Sequence, residues 1–258
     1  MVGVVVVQLF LIPRQSTVIG VSSENKNLAE KISPVLDKSV QSLPDVRVIT
    51  NVIDDKTNTP GQTQKTSGID EFMVTIQQPY FTKGDGYDTD FLKKVLIHEL
   101  MHVISLQNSQ FQTQNPSNFD PSDRKLFDSA EQKCLPEYFN SNGCLKSASY
   151  LSTFYKKFWT GEMRTEYDII QQTQDKQQFS QSLYDWGTKY LDSFLSQNAF
   201  VSPEEDLAES FSFWALDYDT ANLTQTQKDK IRFFDNYPEL KSVKNDYLSS
   251  FDSSFKIN

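Results

Sequence analysis

The stretch from Phe91 to Ile104 constrains this chain more than any other part of it. Phe91, Leu92, Val95, Leu96, Leu100, Val103 and Ile104 recur at helical spacing behind Asp88 or Thr89, either of which can cap a helix. A helix so apolar has to be buried, yet His98, Glu99 and His102 stand in its middle. Polar groups in apolar surroundings are costly unless they pair with one another or coordinate an ion. The chain has 2 histidines in all, and both are here, with the spacing H-E-x-x-H. Residues four apart share a helix face, so both imidazoles can point at one metal while Glu99 lies beside them to polarise a bound water. Zinc is the expected ion, because imidazole nitrogens plus a carboxylate suit it.

The rest of the sequence supplies a frame for that helix. Val4 to Ile12 and Val46 to Ile53 are rich in β-branched residues, and Phe72 to Ile76 is a short apolar run, as buried or half-buried strands are. Between the first two, Leu28, Ile32, Val35, Leu36 and Val40 repeat at helical spacing behind Ser22-Ser23, with Pro34 expected to kink or shorten the helix. Lys83 to Gly86 reads as a turn before the apolar helix. From Gln107 to Asp123 the chain is rich in Gln, Asn, Ser and Pro, which predicts an exposed connection and marks the boundary between two halves, 1–106 and 107–258. Beyond it the pattern is helical. Tyr150, Leu151, Phe154, Phe158 and Trp159 form one stripe, Phe179, Leu183, Trp186, Tyr190 and Phe194 a second, and Leu207, Phe211, Trp214 and Ala215 a third. The expectation is a single α+β domain over 1–258: a small twisted mixed sheet over the His98 to His102 helix, and a mainly α-helical C-terminal half.

Charge and cysteine usage narrow the partners. With Lys plus Arg 25 against Asp plus Glu 34, the net charge of -9 opposes binding to a phosphate backbone, so nucleic acid is excluded as a partner and anionic membranes are unfavourable. The longest apolar run, Val4 to Ile12, is about half the roughly 20 residues that a spanning helix requires, so no transmembrane segment is expected. Cys134 and Cys144 flank a loop carrying Pro136 and Asn142-Gly143, turn residues that can bring the two sulfurs together. A bridge there would contribute about 3 kcal/mol by constraining the unfolded chain, and would point to a secreted or cell-surface protein.

Two histidines leave a ligand to find, and it must be Asp, Glu or Cys. In Glu205-Asp206-Leu207-Ala208-Glu209, Glu205 and Glu209 share a helix face opposite Leu207 and Phe211, and Ala208 allows another helix to approach closely. One carboxylate can bind metal while the other orients an imidazole. The same segment also reads as a capping box, with Ser202 as cap and Pro203 at the first helical position. A thiolate from Cys134 or Cys144 is the chemical rival.

With these residues in place the sequence resembles the gluzincin clan of zinc metallopeptidases, and within it the lethal-factor-like and small secreted bacterial members. The resemblance rests on His98-Glu99-x-x-His102 followed by Glu205-x-x-Ala208-Glu209. It implies a zincin-like fold, zinc held by His98, His102 and Glu205, and Glu209 in support of an imidazole. It further implies a zinc-dependent endopeptidase in which zinc-activated water attacks a peptide carbonyl with Glu99 as general base, and the strand at Phe72 to Gln78 lies at a sheet edge where an extended peptide pairs. Two departures stand against the pattern. About a hundred residues separate His102 from Glu205, and no Tyr or His near Glu205 offers itself to a developing oxyanion: Asn198 to Phe200 supplies none, which leaves Tyr190 and Tyr218 as candidates. The missing residue keeps a second reading open, a zincin-fold surface or toxin-like binding module whose metal is structural or whose catalysis is lost.

Overall fold

The computed structural model describes residues 25–256, apart from 44, 56–58, 85, 116–118 and 120–122. The strand expected at Val4 to Ile12 and the helix start at Ser22-Ser23 lie outside the described residues. The fold class is α+β, as expected. Helix α1 (Lys26–Val40) precedes three strands, β1 (Arg47–Ile53), β2 (Gly61–Lys65) and β3 (Glu71–Gln77), in one mixed sheet of order β1-β3-β2. β1 runs parallel to β3 with Val48 beside Phe72 and Val52 beside Ile76, and β2 runs antiparallel to β3 with Gly61 opposite Ile76. A hairpin of β4 (Thr82–Lys83) and β5 (Gly86–Tyr87) leads into α2 (Thr89–Ser105), where the Asp88 carboxylate caps the helix by accepting from the Phe91 N–H at 3.1 Å.

Two sequence expectations about this half change, and one strand has no sequence signal at all. Pro34 does not shorten α1, which continues through it; Pro34 and Glu30 both face solvent, so the carbonyl that loses its helical donor is open to water. The strand at Phe72 to Gln77 is central, not an edge: it lies between β1 and β2, and its own Phe72, Val74 and Ile76 are fully buried, which makes it legible. The edge nearest α2 is β2, Gly-Gln-Thr-Gln-Lys, which has no apolar alternation to announce it.

The second half is mainly helical, but it opens on a small antiparallel sheet. After a short 3-10 turn, β6 (Phe111–Gln114) occupies part of the segment expected to be an exposed connection, and pairs with β8 (Gly143–Leu145), which in turn pairs with β7 (Phe139–Asn140). α3 (Arg124–Cys134) packs on this sheet, and a disulfide joins Cys134 to Cys144 with Cα atoms 5.5 Å apart. Gly143 is required there: its φ is +138°, and a Cβ would stand 2.2 Å from the Thr113 carbonyl oxygen across the ladder. Then follow α4 (Tyr150–Phe158), α5 (Gly161–Ile170), α6 (Lys176–Lys189), α7 (Pro203–Ala215), α8 (Gln225–Arg232) and α9 (Pro238–Phe255).

One apolar core joins the two halves, running from Leu28 and Phe72 through Leu96, Phe154 and Phe211 to Phe251. α9 lies against α1 and α2, where the Tyr247 hydroxyl donates to the Lys93 carbonyl at 2.5 Å and Lys93 pairs with Asp252 at 2.7 Å. Deep among α4, α7 and α8, the Lys230 ammonium meets the Asp206 carboxylate at 2.6 Å with both side chains 0% exposed. The Trp159 indole N–H donates to the same carboxylate oxygen at 2.9 Å. This pair anchors the first turn of α7, the turn that carries Glu205. No described helix is long and apolar enough to cross a membrane.

Candidate metal centre

α2 and α7 pack side by side, and small, fully buried Ala208 lies in the α7 surface. α2 places His98 and His102 one turn apart, with Nε2 atoms 3.1 Å from each other. α7 brings Glu205 to them: Oε2 lies 3.1 Å from His98 Nε2 and Oε1 3.3 Å from His102 Nε2. One ligand atom from each of the three residues falls within 4.8 Å of the others. The two readings of the Glu205 segment therefore coexist. Ser202 caps α7 by accepting from the Glu205 backbone N–H at 3.3 Å, while the Glu205 carboxylate, which would close a capping box, turns to the imidazoles instead.

Glu209, one turn further along α7, sits where a supporting carboxylate should. Its Oε1 is 3.2 Å from His98 Nδ1, and its Oε2 is 3.1 Å from the Lys94 ammonium. Glu99 is 5% exposed, and the Thr63 hydroxyl on β2 lies 2.8 Å from its Oε2 and 3.2 Å from its backbone carbonyl. Gly61, two residues earlier on β2, makes that approach possible: a Cβ would stand 2.7 Å from Val95 Cγ1 and 2.8 Å from Glu99 Oε1. On the far wall, the Asn198 amide donates to Glu205 Oε2 at 2.6 Å. Together these residues line a cleft of about 720 Å³ between β2, α2 and the start of α7, with Pro60, Phe91, Val95, Leu106 and Val201 as its apolar surfaces.

The electrostatics of the cleft call for positive charge. Among the described residues its charged lining is three carboxylates, Glu99, Glu205 and Glu209, against the ammonium of Lys94. Burial alone would lower the pKa of His98, but the hydrogen bonds that its ring makes to the Glu205 and Glu209 carboxylates outweigh it and raise His98 to about 10. Burial likewise opposes ionisation of the two carboxylates. For Glu205 the bonds to His102 and His98 win and hold it well below the usual range; for Glu209 the bond to His98 and the charge of Lys94 bring it to about 2. An imidazole that binds a metal is neutral, so in a metal-loaded cleft Glu205 and Glu209 would outnumber Lys94, an excess of negative charge that the cation offsets. Two imidazole nitrogens and a carboxylate oxygen converging in a partly buried cleft suit zinc or a similar borderline ion.

Not every expected residue is here. Tyr190 and Tyr218, the candidate oxyanion donors, do not line the cleft. Tyr190 borders a separate cavity with Ser193 and Thr226, and Tyr218 packs on Phe213 with ring centroids 4.8 Å apart. Both cysteines are bonded to each other, which removes the thiolate ligand. Gly61, Thr63, Lys94 and Asn198 were not foreseen, since a polar edge strand, a lysine and a loop amide carry no spacing signal of their own. Comparison of the chain with protein-family models, with curated proteins and with solved structures returns no match.

Proposed function

We propose that the protein is a zinc-dependent endopeptidase of zincin-like architecture, with His98, His102 and Glu205 as metal ligands and Glu99 as general base. The observation that carries this reading is the meeting of the only two histidines with a glutamate 103 residues downstream of His102, beside a buried carboxylate in an open cleft. Zinc bound there supplies a Lewis acid that polarises a carbonyl and acidifies water. The remaining work falls to the chain. Glu99 takes a proton from the attacking water and returns it to the leaving amine, held for both tasks by the Thr63 hydroxyl. Glu209 fixes the His98 ring through Nδ1, which leaves Nε2 free for the metal. Among the described residues β2 is paired on one side alone; its other edge, where Gly61 to Thr63 line the cleft, can align an extended peptide by backbone pairing, the role expected of Phe72 to Gln78. The disulfide supports a secreted or cell-surface setting.

Digestion of a diverse peptide library, read by mass spectrometry, tests the reading directly. Cuts by the zinc-loaded protein that vanish in Glu99→Gln and under chelation are the expected result. An undigested library would overturn the endopeptidase and favour a binding module, and cuts that persist in Glu99→Gln would refute Glu99 as general base.

A further inference from the structure

The ligand Glu205 comes from a different half of the chain than the histidines, so something has to fix where its carboxylate points. Ser202 holds the Glu205 backbone but not its side chain, which is 27% exposed and faces the two imidazoles that a metal would draw on. The Asn198 amide restrains the carboxylate from outside that trio, donating to Oε2 at 2.6 Å. A carboxylate can only accept, so it is the NH2 of Asn198 that faces it.

The loop that carries Asn198 is built to hold that amide still. Phe194 on one side and Ala199 and Phe200 on the other are buried, and the Phe200 ring lies over Gly187, where a Cβ would stand 2.4 Å from it. The Val201 N–H donates to the Asn198 carbonyl at 3.1 Å, the Ala199 N–H to the Ser196 hydroxyl at 3.2 Å, and the Tyr167 hydroxyl to the Val201 carbonyl at 3.1 Å. Asn198 is thus an exposed side chain on a fixed backbone, the arrangement of a functional group and not of a core one. Its neutrality also matters. A lysine or arginine at this position would orient Glu205 equally well but would repel a cation and cancel charge that the cleft keeps for it.

We propose that Asn198 is a positioning residue for Glu205, and through it a determinant of how tightly the cleft binds a divalent cation. The inference rests on the metal reading of His98, His102 and Glu205, and the test separates the two. Zinc affinity is measured by competition with a chromophoric chelator for the wild type, Asn198→Ala and Asn198→Leu, and melting of each metal-free protein is measured alongside. Loss of a hydrogen-bond partner of a metal ligand weakens affinity by roughly 10–100-fold, and that loss is expected in both variants. Melting should not change, because the side chain is exposed and its loop is held by other groups. If the wild type binds zinc and both variants bind it equally well, the role of Asn198 is refuted and the metal site stands. If weaker binding comes with lower melting in both variants, Asn198 acts on the fold and the proposal fails. If the wild type binds no zinc, the metal reading fails and takes this inference with it.

Discussion

Replacing Lys230 by methionine tests the structural logic of α7 without touching the cleft. The substitution keeps the length and apolar body of the side chain and removes its charge, so Asp206 is left as a carboxylate at 0% exposure with the Trp159 indole still donating to it. Breaking a buried pair from one side costs about 3–5 kcal/mol, because the remaining charge is uncompensated. For a chain of this size, at about 2–4 °C per kcal/mol, that is a fall in melting temperature of roughly 6–20 °C. The pH dependence gives a second readout. Burial already raises the Asp206 pKa, Lys230 being the chief opposing influence, so the variant raises it further. A carboxyl with a folded pKa above its unfolded value of about 3.9 binds protons preferentially in the native state, so its contribution to stability rises as pH falls. The deficit of Lys230→Met against the wild type should therefore shrink from neutral pH towards about pH 4, by up to ~1.36 kcal/mol per pH unit below the folded pKa. Urea unfolding of the metal-free proteins at several pH values measures both effects. The double variant Asp206→Leu/Lys230→Met should recover most of the loss, since an apolar pair of similar volume is often neutral or better. A loss below about 1 kcal/mol in Lys230→Met, or a double variant as unstable as the single one, would refute the reasoning.

Two further outcomes follow from close contacts. Gly61→Ala places a methyl 2.7 Å from Val95 Cγ1 and 2.8 Å from Glu99 Oε1, so β2 or the Glu99 carboxylate must shift; a misplacement of about 1 Å costs roughly 100-fold in turnover, and the expected result is a lowered kcat with unchanged zinc affinity. Joint replacement of Cys134 and Cys144 by serine should lower stability by about 3 kcal/mol in denaturant unfolding while leaving zinc affinity as in the wild type, because the bridge ties α3 to β8 and neither cysteine lines the cleft.

The parts of the site that were legible in the sequence share one property: regular spacing. His98 and His102 are one turn apart on a helix whose apolar set fixes its orientation, and Glu205 and Glu209 are one turn apart on another, so each pair reveals a face. The partners that orient them do not repeat. Thr63 acts through a single hydroxyl on a strand with the burial pattern of an edge, and Asn198 acts from a loop. The same difference governs the fold. β1 and β3 are buried and β-branched and could be read; β2 and α3 are polar, and α3 buries only Cys134 of its own residues, so neither announced itself. Gln107 to Asp123 looked like an exposed connection because Phe111, the one residue of β6 that is buried, is a lone apolar position among polar ones. Tyr190 stands on the second aromatic stripe of the sequence, which marks it as a packing residue before an oxyanion donor, and it packs there against Trp186.

The contact of α9 with α1 and α2 has a consequence for biosynthesis. On the ribosome, α2 emerges long before α9, yet the Tyr247 hydroxyl and the Asp252 carboxylate that meet Lys93 both lie on α9. Glu205 also arrives late, on α7, after more than half of the chain has been made. Folding of the first half during translation therefore cannot complete the surface around the histidines, and nascent chains must hold an apolar, unfinished α2 in solution until the C-terminal helices are released. A chain lacking α9 would leave the α1 and α2 surface that this helix covers open to chaperones and proteases.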